Sequence, residues 1–274
     1  MPPFPTKRML GIDFFVGTAA EAIAHISKYG GLIVAPAAPS FIALQDDPDY
    51  RRAIADADLA IADSGWAVLF WRLLRREKLT RISGLALFKA LLETADARIP
   101  ENLFFILPSE KAKTKTLEFG RVSGYPITDA DCYVAPKYFS CSHGSVSREE
   151  RERVSQKRGY SIADDALVAI LQSRKPKHII IGIGGGMQDK LGSYLKHQLT
   201  YRPGIYCIGA APGFVTGDQI VIPMWADRFF VGWIFRLFAQ PRVLLPRFWS
   251  ARRLPGMIWR YGRETPSLKV ESRS

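Results

Sequence analysis

Cysteine and histidine are scarce in this sequence. Its 274 residues include three cysteines and four histidines, and none of them stands at the spacing of a zinc site. The odd number of cysteines, Cys132, Cys141 and Cys207, is what we expect of reduced thiols in the cytoplasm. We therefore predict no metal site built from these side chains, and no cofactor.

Long apolar runs are also missing. The longest run near the C-terminus, Phe229 to Phe235, has seven residues, whereas a helix that crosses a bilayer needs about 20. At the N-terminus, Lys7 and Arg8 precede a short apolar stretch that Asp13 interrupts, so we expect no signal peptide. These features predict a cytoplasmic protein whose contact with the inner face of the cell membrane is peripheral.

Acidic residues are fewer than basic ones. With 26 Asp and Glu against 38 Lys and Arg, the formal net charge is +12, which predicts a polyanionic or phosphate-bearing partner. Residues 221–274 hold ten basic and three acidic side chains, together with four of the six tryptophans. More than half of the excess charge thus lies in the last fifth of the chain.

Five short apolar segments predict buried strands, most of them followed by a helical pattern. They are residues 31–34, 59–62, 103–107, 179–183 and 204–208. Continuous apolar strands that alternate with helices predict a parallel sheet covered on both faces. We therefore predict an α/β fold with two units: a Rossmann-like, mostly parallel sheet in residues 1–220, and a helical, basic and aromatic appendage in residues 221–274.

Asp63 follows the second predicted strand, at the point where a helix is expected to begin. Ligands of such sheets bind beyond the carboxyl ends of the strands, and a carboxylate fixed there can act as a general base. A helix N-cap is the other role that fits Asp63. The spacing alone leaves both roles open.

A glycine-rich segment at residues 184–189 is the second candidate ligand site. Glycines at a helix N-terminus let backbone N–H groups approach an anion. However, Met187 stands where a dinucleotide-binding fingerprint needs its last glycine, and the G-K-[ST] of a P-loop is absent. We predict a general ligand-facing loop, in which Gln188 and Asp189 are either binding groups or first-turn helix residues.

Three D-x-D triplets, which begin at Asp47, Asp56 and Asp129, match a pattern of metal-dependent sugar transferases. Because the pattern occurs three times in one chain, it is not specific. Each triplet is more simply a helix cap or an exposed helix position. We predict no bound metal.

The tail at residues 223–248 alternates apolar clusters with single arginines. Aromatic side chains can lie at the headgroup boundary of a membrane while arginines pair with lipid phosphates. A helical appendage that packs its aromatic side chains on the main domain is the alternative. We favour an anionic membrane surface as the partner, because the surplus charge accompanies the aromatic residues.

Three blocks, in order along the chain, carry a family resemblance. In the first, Asp63 ends a strand and Arg81 follows 18 residues later, ahead of Gly84, Leu87 and Phe88. The second is GIGGGMQDK at residues 182–190, and the third is IPMWADRFFVGWIFRLFAQPR at residues 222–242. Together they resemble the WecG/TagA/CpsF glycosyltransferases, also known as glycosyltransferase family 26.

The resemblance implies an inverting, metal-independent sugar transfer in the biosynthesis of exopolysaccharide or another cell-surface polysaccharide. The implied donor is a nucleotide diphosphate sugar, usually a UDP-sugar, and the implied acceptor is a polyprenyl-diphosphate-linked saccharide. Asp63 matches the general base, and Arg228 matches a residue that neutralises diphosphate charge. The candidate substrate-binding residues are Arg81, Gly184, Gly185, Gln188, Asp189, Phe214 and Arg236, of which Asp189 stands where the family usually has Glu.

The chain also departs from the family pattern. Ala35 and Ala37 stand where the family has Thr and Asn, the segment that begins at Gly213 lacks an Asp, and Val221 replaces an Arg. Loss of hydrogen-bonding groups from a donor site changes which substrates it rejects. The donor sugar therefore stays open among hexose, N-acetylhexosamine and glucuronic acid.

Two other functions are kept as alternatives. A noncatalytic or regulatory membrane-associated module that has lost donor binding would be consistent with the same departures. A nucleic-acid binder would rest on charge alone, because the chain has no motif for base or strand recognition. We therefore predict no nucleic-acid partner, and we leave open whether the chain forms a homo-oligomer.

Overall fold

The computed structural model describes residues 4–138, 162–218, 249 and 251–268. Within these residues, eight strands form one sheet in the order β1-β2-β4-β3-β8-β7-β5-β6. Their bounds are β1 (Thr6–Met9), β2 (Ile12–Phe15), β3 (Gly31–Val34), β4 (Leu59–Ala60), β5 (Leu103–Leu107), β6 (Cys132–Val134), β7 (His178–Ile181) and β8 (Gly204–Cys207).

Helices connect most of these strands. The described ranges contain α1 (Ala19–Tyr29), α2 (Ala38–Asp46), α3 (Pro48–Ala55), α4 (Gly65–Arg75), α5 (Gly84–Leu92), α6 (Glu110–Ser123), α7 (Asp165–Arg174), α8 (Met187–Gln198), α9 (Ala211–Thr216) and α10 (Leu254–Tyr261). None of these helices is both long enough and apolar enough to cross a membrane.

The sheet is parallel apart from the β1–β2 hairpin. Side chains that alternate along the strands enter two separate apolar cores, one on each face. Helices α2, α3, α4, α7, α8 and α10 cover the first face, and α1, α5, α6 and α9 cover the second. The predicted α/β architecture, with a mostly parallel sheet between two helical layers, is confirmed.

The described C-terminal residues pack on the first face of the sheet. From α10, Leu254, Met257 and Ile258 enter the first core. The guanidinium of Arg75, in the last turn of α4, donates hydrogen bonds of 2.9 Å to the carbonyls of Ile258 and Trp259. These carbonyls lie at the C-terminal end of α10, where a cation is favourable. The last turns of α4 and α10 are thereby joined.

The β1–β2 turn also holds the C-terminal residues. Leu10 and Gly11 both have positive φ, as a two-residue hairpin turn requires. Their N–H groups donate to the carbonyls of Gly262 and Arg263, at 2.8 and 3.1 Å. The chain after α10 therefore closes on the first hairpin of the fold.

Candidate functional site

The candidate site lies at the carboxyl ends of four adjacent strands, β4, β3, β8 and β7. The loops that leave these strands contain residues 61–64, 35–37, 208–210 and 182–186, respectively. In open parallel sheets this edge is where ligands bind. Asp63 and the glycine-rich loop thus share one rim, as the sequence predicts.

Asp63 does not cap the helix that follows it. The N-cap of α4 is Ser64, whose hydroxyl oxygen accepts a hydrogen bond from the N–H of Ala67 at 3.3 Å. The N-cap interpretation of Asp63 is therefore wrong. Its carboxylate oxygen Oδ1 instead accepts a 3.0 Å hydrogen bond from the N–H of Gly84, the first residue of α5.

The Asp63 turn is fixed by the segment that precedes α5. Ala62 and Arg81 form a parallel bridge, and Arg81 Nε donates a 3.0 Å hydrogen bond to the carbonyl of Asp63. A carboxylate is favoured at the N-terminal end of a helix by the partial positive charge there. Among the residues that the structure describes, none donates a hydrogen bond to the second oxygen, Oδ2, of Asp63. Within the described part of the chain, the acid is oriented through Oδ1 alone.

The loop after β8 connects this turn to the glycine-rich loop. Gly84 packs against the loop so closely that a Cβ on it would lie 3.2 Å from the carbonyl oxygen of Ile208. A Cβ on Gly209 would lie 3.5 Å from Oε1 of Gln188. Asp63, Arg81 and Gln188 are thus brought to one continuous rim.

Gln188, in the first turn of α8, is a buried polar side chain at this rim, only 3% exposed. Its Nε2 donates a 3.2 Å hydrogen bond to the carbonyl of Cys207. Because a carbonyl can only accept, this bond fixes which end of the amide faces which way. Oε1 has no hydrogen-bond partner among the described residues. Such an acceptor costs about 1–3 kcal/mol unless a donor reaches it.

Asp189 is a buried side chain that holds the glycine-rich loop through a hydrogen bond. Its Oδ2 accepts a 3.1 Å hydrogen bond from the N–H of Gly186, whose φ of +87° favours glycine. Burial raises the pKa of the Asp189 carboxyl to about 7. Gly184 and Gly185, by contrast, are exposed at the tip of the loop. The exposed glycines of the loop are therefore held in place by a buried carboxyl group.

Helix α8 also takes part in a buried ion pair that no sequence pattern predicts. Lys190 Nζ lies 2.6 Å from Oδ2 of Asp47, and Lys190 is only 5% exposed. Asp47 is the N-cap of α3, one of the two roles expected for its triplet, since its Oδ1 accepts a hydrogen bond from the N–H of Tyr50. Ser40 of α2 also approaches the loop, 3.3 Å from where a Cβ of Gly185 would lie. No local pattern around residue 47 indicates its partner at residue 190.

The D-x-D triplets have partners within the protein. Asp56 accepts a hydrogen bond from Ser193 at 2.8 Å, and Asp131 pairs with Arg174 at 2.5 Å. Within the described ranges, no group of three His, Cys, Asp or Glu side chains is arranged to hold a metal ion.

Other predicted site residues lie in different places. Phe214 is half-buried in α9, which follows β8 at the rim. Ala35 is buried at the end of β3, and Ala37 is the N-cap of α2 without a side-chain hydrogen bond. Arg228 and Arg236 lie outside the described residues.

The fold and the rim define an α/β protein with a doubly covered, mostly parallel sheet and a candidate ligand site at its carboxyl edge. The model of the glycosyl transferase WecG/TagA/CpsF family matches residues 7–270. The chain therefore belongs to this family, as its sequence blocks predict. It is a glycosyltransferase of cell-surface polysaccharide synthesis, which acts on a nucleotide-sugar donor and a saccharide acceptor. A search of curated proteins gives no significant match.

Proposed function

We propose that this chain transfers a sugar, with inversion and without a metal ion, from a UDP-sugar to a polyprenyl-diphosphate-linked saccharide. The observation that carries the proposal is the Asp63 carboxylate, which is held on the rim by Gly84 through Oδ1. A general base needs a fixed position and one oxygen that can take a proton from the substrate. Oδ2 of Asp63 meets both requirements.

In the proposed step, a hydroxyl oxygen of the acceptor attacks the anomeric carbon of the donor from the face opposite the diphosphate. The new carbon–oxygen bond forms as the bond between the anomeric carbon and the diphosphate oxygen breaks. The hydroxyl proton passes to Oδ2 of Asp63, and the nucleotide diphosphate leaves with the bonding electron pair. Attack from the opposite face gives the inverted product.

The leaving diphosphate accumulates negative charge, which must be stabilised. We assign this role to arginines, because a guanidinium holds phosphate oxygens by two parallel hydrogen bonds. Arg81 lies beside Asp63 through its bond to the Asp63 carbonyl, and we propose that Arg228 and Arg236 complete the set. Backbone N–H groups of Gly184 and Gly185 would add donors at the start of α8.

Gln188 is proposed to recognise the donor. Its Oε1 is buried and unpartnered in the described part of the chain, so an O–H or N–H of the nucleotide or sugar would relieve an existing cost. Phe214 and Asp189 are proposed to shape the donor site around Gln188, Asp189 through its bond to Gly186. The sugar itself stays open among hexose, N-acetylhexosamine and glucuronic acid.

The test is to incubate the full chain with a panel of nucleotide sugars and polyprenyl-diphosphate saccharides, and to identify the lengthened lipid by mass. We expect one donor–acceptor pair to give product, with inverted anomeric configuration by NMR and an unchanged rate in EDTA. If no pair reacts and calorimetry detects no binding of any UDP-sugar, the noncatalytic alternative is correct instead.

A second test addresses the tail. Arg228→Ala is expected to lower turnover, because the charge on the leaving diphosphate then lacks a partner, while thermal stability is unchanged. Arg121→Ala, an exposed arginine of α6, is the matched control. Equal rates in the two variants would remove Arg228 from the mechanism.

A further inference from the structure

Large apolar side chains are exposed on two neighbouring parts of the first helical layer. Leu69 and Leu73 of α4, together with Trp249 and Trp259, are between 42% and 70% exposed. They make up half of the eight large apolar side chains that are exposed in the described residues. An exposed apolar cluster of this kind marks an interaction surface.

Leu69 and Leu73 lie on α4 and Trp259 lies on α10, and these two helices pack against each other. Arg75 joins the last turns of the two helices. Both helices turn apolar side chains toward the same core, among them Trp71 and Met257, so their outer sides lie next to each other. We call this surface the α4–α10 face; it comprises Leu69, Arg72, Leu73, Arg76, Trp249, Arg252, Arg253, Trp259 and Arg260.

The charge of the face has one sign. Residues 65–76 and 249–263 contain seven arginines and no acidic residue. Arg75 is bonded to α10, and Arg263 pairs with Glu77 at 2.7 Å. The other five arginines form no ion pair with a carboxylate of the described residues. The guanidinium of Arg252 lies 3.8 Å from the ring centroid of Trp249, so cation and aromatic ring are presented together.

We propose that the α4–α10 face binds the surface of an anionic lipid bilayer. Arginines that pair with lipid phosphates, between indole and leucine side chains that enter the headgroup boundary, are the combination such a surface selects. A second copy of the chain fits less well, because a two-fold contact would bring the same arginines against each other. Nucleic acid would satisfy the arginines, but it offers no apolar partner for Leu69 and Leu73.

One helix connects the face with the candidate site. Helix α4 begins at Gly65, two residues after Asp63, so the face and the candidate base are joined by one rigid element. The inference deepens the proposed function and rests on it in this respect, since a lipid-linked acceptor is held at a bilayer. Binding to lipid is nevertheless measured without any sugar transfer.

The experiment is flotation of the full-length protein with vesicles of phosphatidylcholine, alone or mixed with phosphatidylglycerol. We expect binding to the mixed vesicles, weakened by salt. Leu73→Asp and Arg76→Glu should each lower the partition coefficient about tenfold or more. Val122→Asp and Arg121→Glu, exposed positions of α6 on the opposite face of the sheet, make the same chemical changes and should leave binding intact.

Equal binding by the two sets of variants would overturn the proposal. If the wild type sediments as a dimer and Leu73→Asp as a monomer, the face serves self-association. If the protein binds RNA in a salt-dependent way but does not bind vesicles, the face serves nucleic acid. Either result overturns the lipid proposal. Circular dichroism confirms that each variant is folded. Failure of the transfer assay, with vesicle binding still confined to the face, would reject the proposed function alone.

Discussion

The backbone N–H of Gly84 donates a 3.0 Å hydrogen bond to Oδ1 of Asp63, across 21 residues of sequence. The carboxylate is therefore oriented by the start of α5, although it follows β4 and precedes α4. Gly84 holds one oxygen, and among the described residues no donor reaches the other, which we propose accepts the proton of the acceptor hydroxyl. Oδ1 thus has a structural role, and Oδ2 has the proposed chemical role.

Asp63→Asn should remove sugar transfer and leave the fold intact. The side-chain oxygen of Asn can still accept from Gly84, but the amide cannot take a proton from the acceptor. We expect a rate loss of about 100-fold or more, with a change in the free energy of unfolding below about 1 kcal/mol. Product formation and urea unfolding measure the two quantities. Wild-type turnover in this variant would reject Asp63 as the base.

Gln188→Met should weaken donor binding. Methionine keeps the volume of the side chain but has no strong acceptor where Oε1 now lies. We expect KM for the nucleotide sugar to rise about tenfold, as one unpaired donor of the ligand costs on the order of 1–2 kcal/mol, while kcat changes less. Gln172→Met on α7, a glutamine whose Nε2 also bonds a carbonyl, that of Gln198, is the control. An unchanged KM would show that Gln188 only supports the Cys207 carbonyl.

The strands that the sequence predicts best are those that are buried along their whole length. Residues 31–34 and 103–107 are apolar throughout and are observed as β3 and β5 with the predicted bounds. The strand predicted at 59–62 is shorter, Leu59–Ala60, because its end turns into the bridge between Ala62 and Arg81. Strand β6, three residues at the sheet edge, carries too weak a pattern to be predicted.

At the site, the sequence predicts which segments meet but not how their side chains pair. Parallel strands necessarily bring Asp63 and the glycine-rich loop to one edge. Whether Asp63 caps α4 depends on a competition with Ser64, the next residue and an equally good N-cap, and only the long-range donor at Gly84 decides it. The Lys190–Asp47 pair spans 143 residues, so no local spacing could indicate it.

Lys190→Met should destabilise the protein by about 3 kcal/mol, because it leaves the Asp47 charge in a partly buried place without its partner. Asp47→Asn in the same chain should recover at least half of this loss, since Asn carries no charge and still caps α3. Lys113→Met tests an ion pair whose carboxylate, that of Asp129, is exposed, and it should cost less than about 1 kcal/mol. Urea unfolding of the four proteins, wild type included, gives these values. Equal losses in Lys190→Met and Lys113→Met would show that burial of the pair is unimportant.

Asp189 should make stability depend on pH. Burial raises its pKa from 3.8 to about 7, so between about pH 4 and pH 7 the native state keeps a proton that the unfolded chain has released. The free energy of unfolding therefore falls as the pH rises through this window. Asp189→Asn lacks this loss, so its stability relative to the wild type should rise from pH 4 to pH 7 and then level off.

The comparison of Asp189→Asn with the wild type also removes the contribution of His178 to the pH dependence. Burial lowers the pKa of His178 to about 4, which makes stability rise with pH over much of the same window. Because His178 is present in both proteins, its contribution cancels in the difference between them. A difference that does not vary between pH 4 and pH 7 would mean that Asp189 is ionised in the native state throughout.

Gly11→Ala should loosen the hold of the β1–β2 turn on the C-terminal residues. Gly11 has φ of +80°, and a Cβ there would lie 2.1 Å from Oγ1 of Thr265. Gly124→Ala is the matched control, because Gly124 has a similar φ of +70° but its Cβ would meet only Arg98, at 3.6 Å. The control should lose about 1 kcal/mol of unfolding free energy for the backbone conformation alone, and Gly11→Ala should lose about 1–3 kcal/mol more for the overlap.

Limited proteolysis should then cut Gly11→Ala faster within residues 251–268, since the N–H groups of the turn no longer meet the carbonyls of Gly262 and Arg263. Equal losses and equal cleavage in the two variants would show that Thr265 moves aside without cost and that α10 is held by its own contacts with α4.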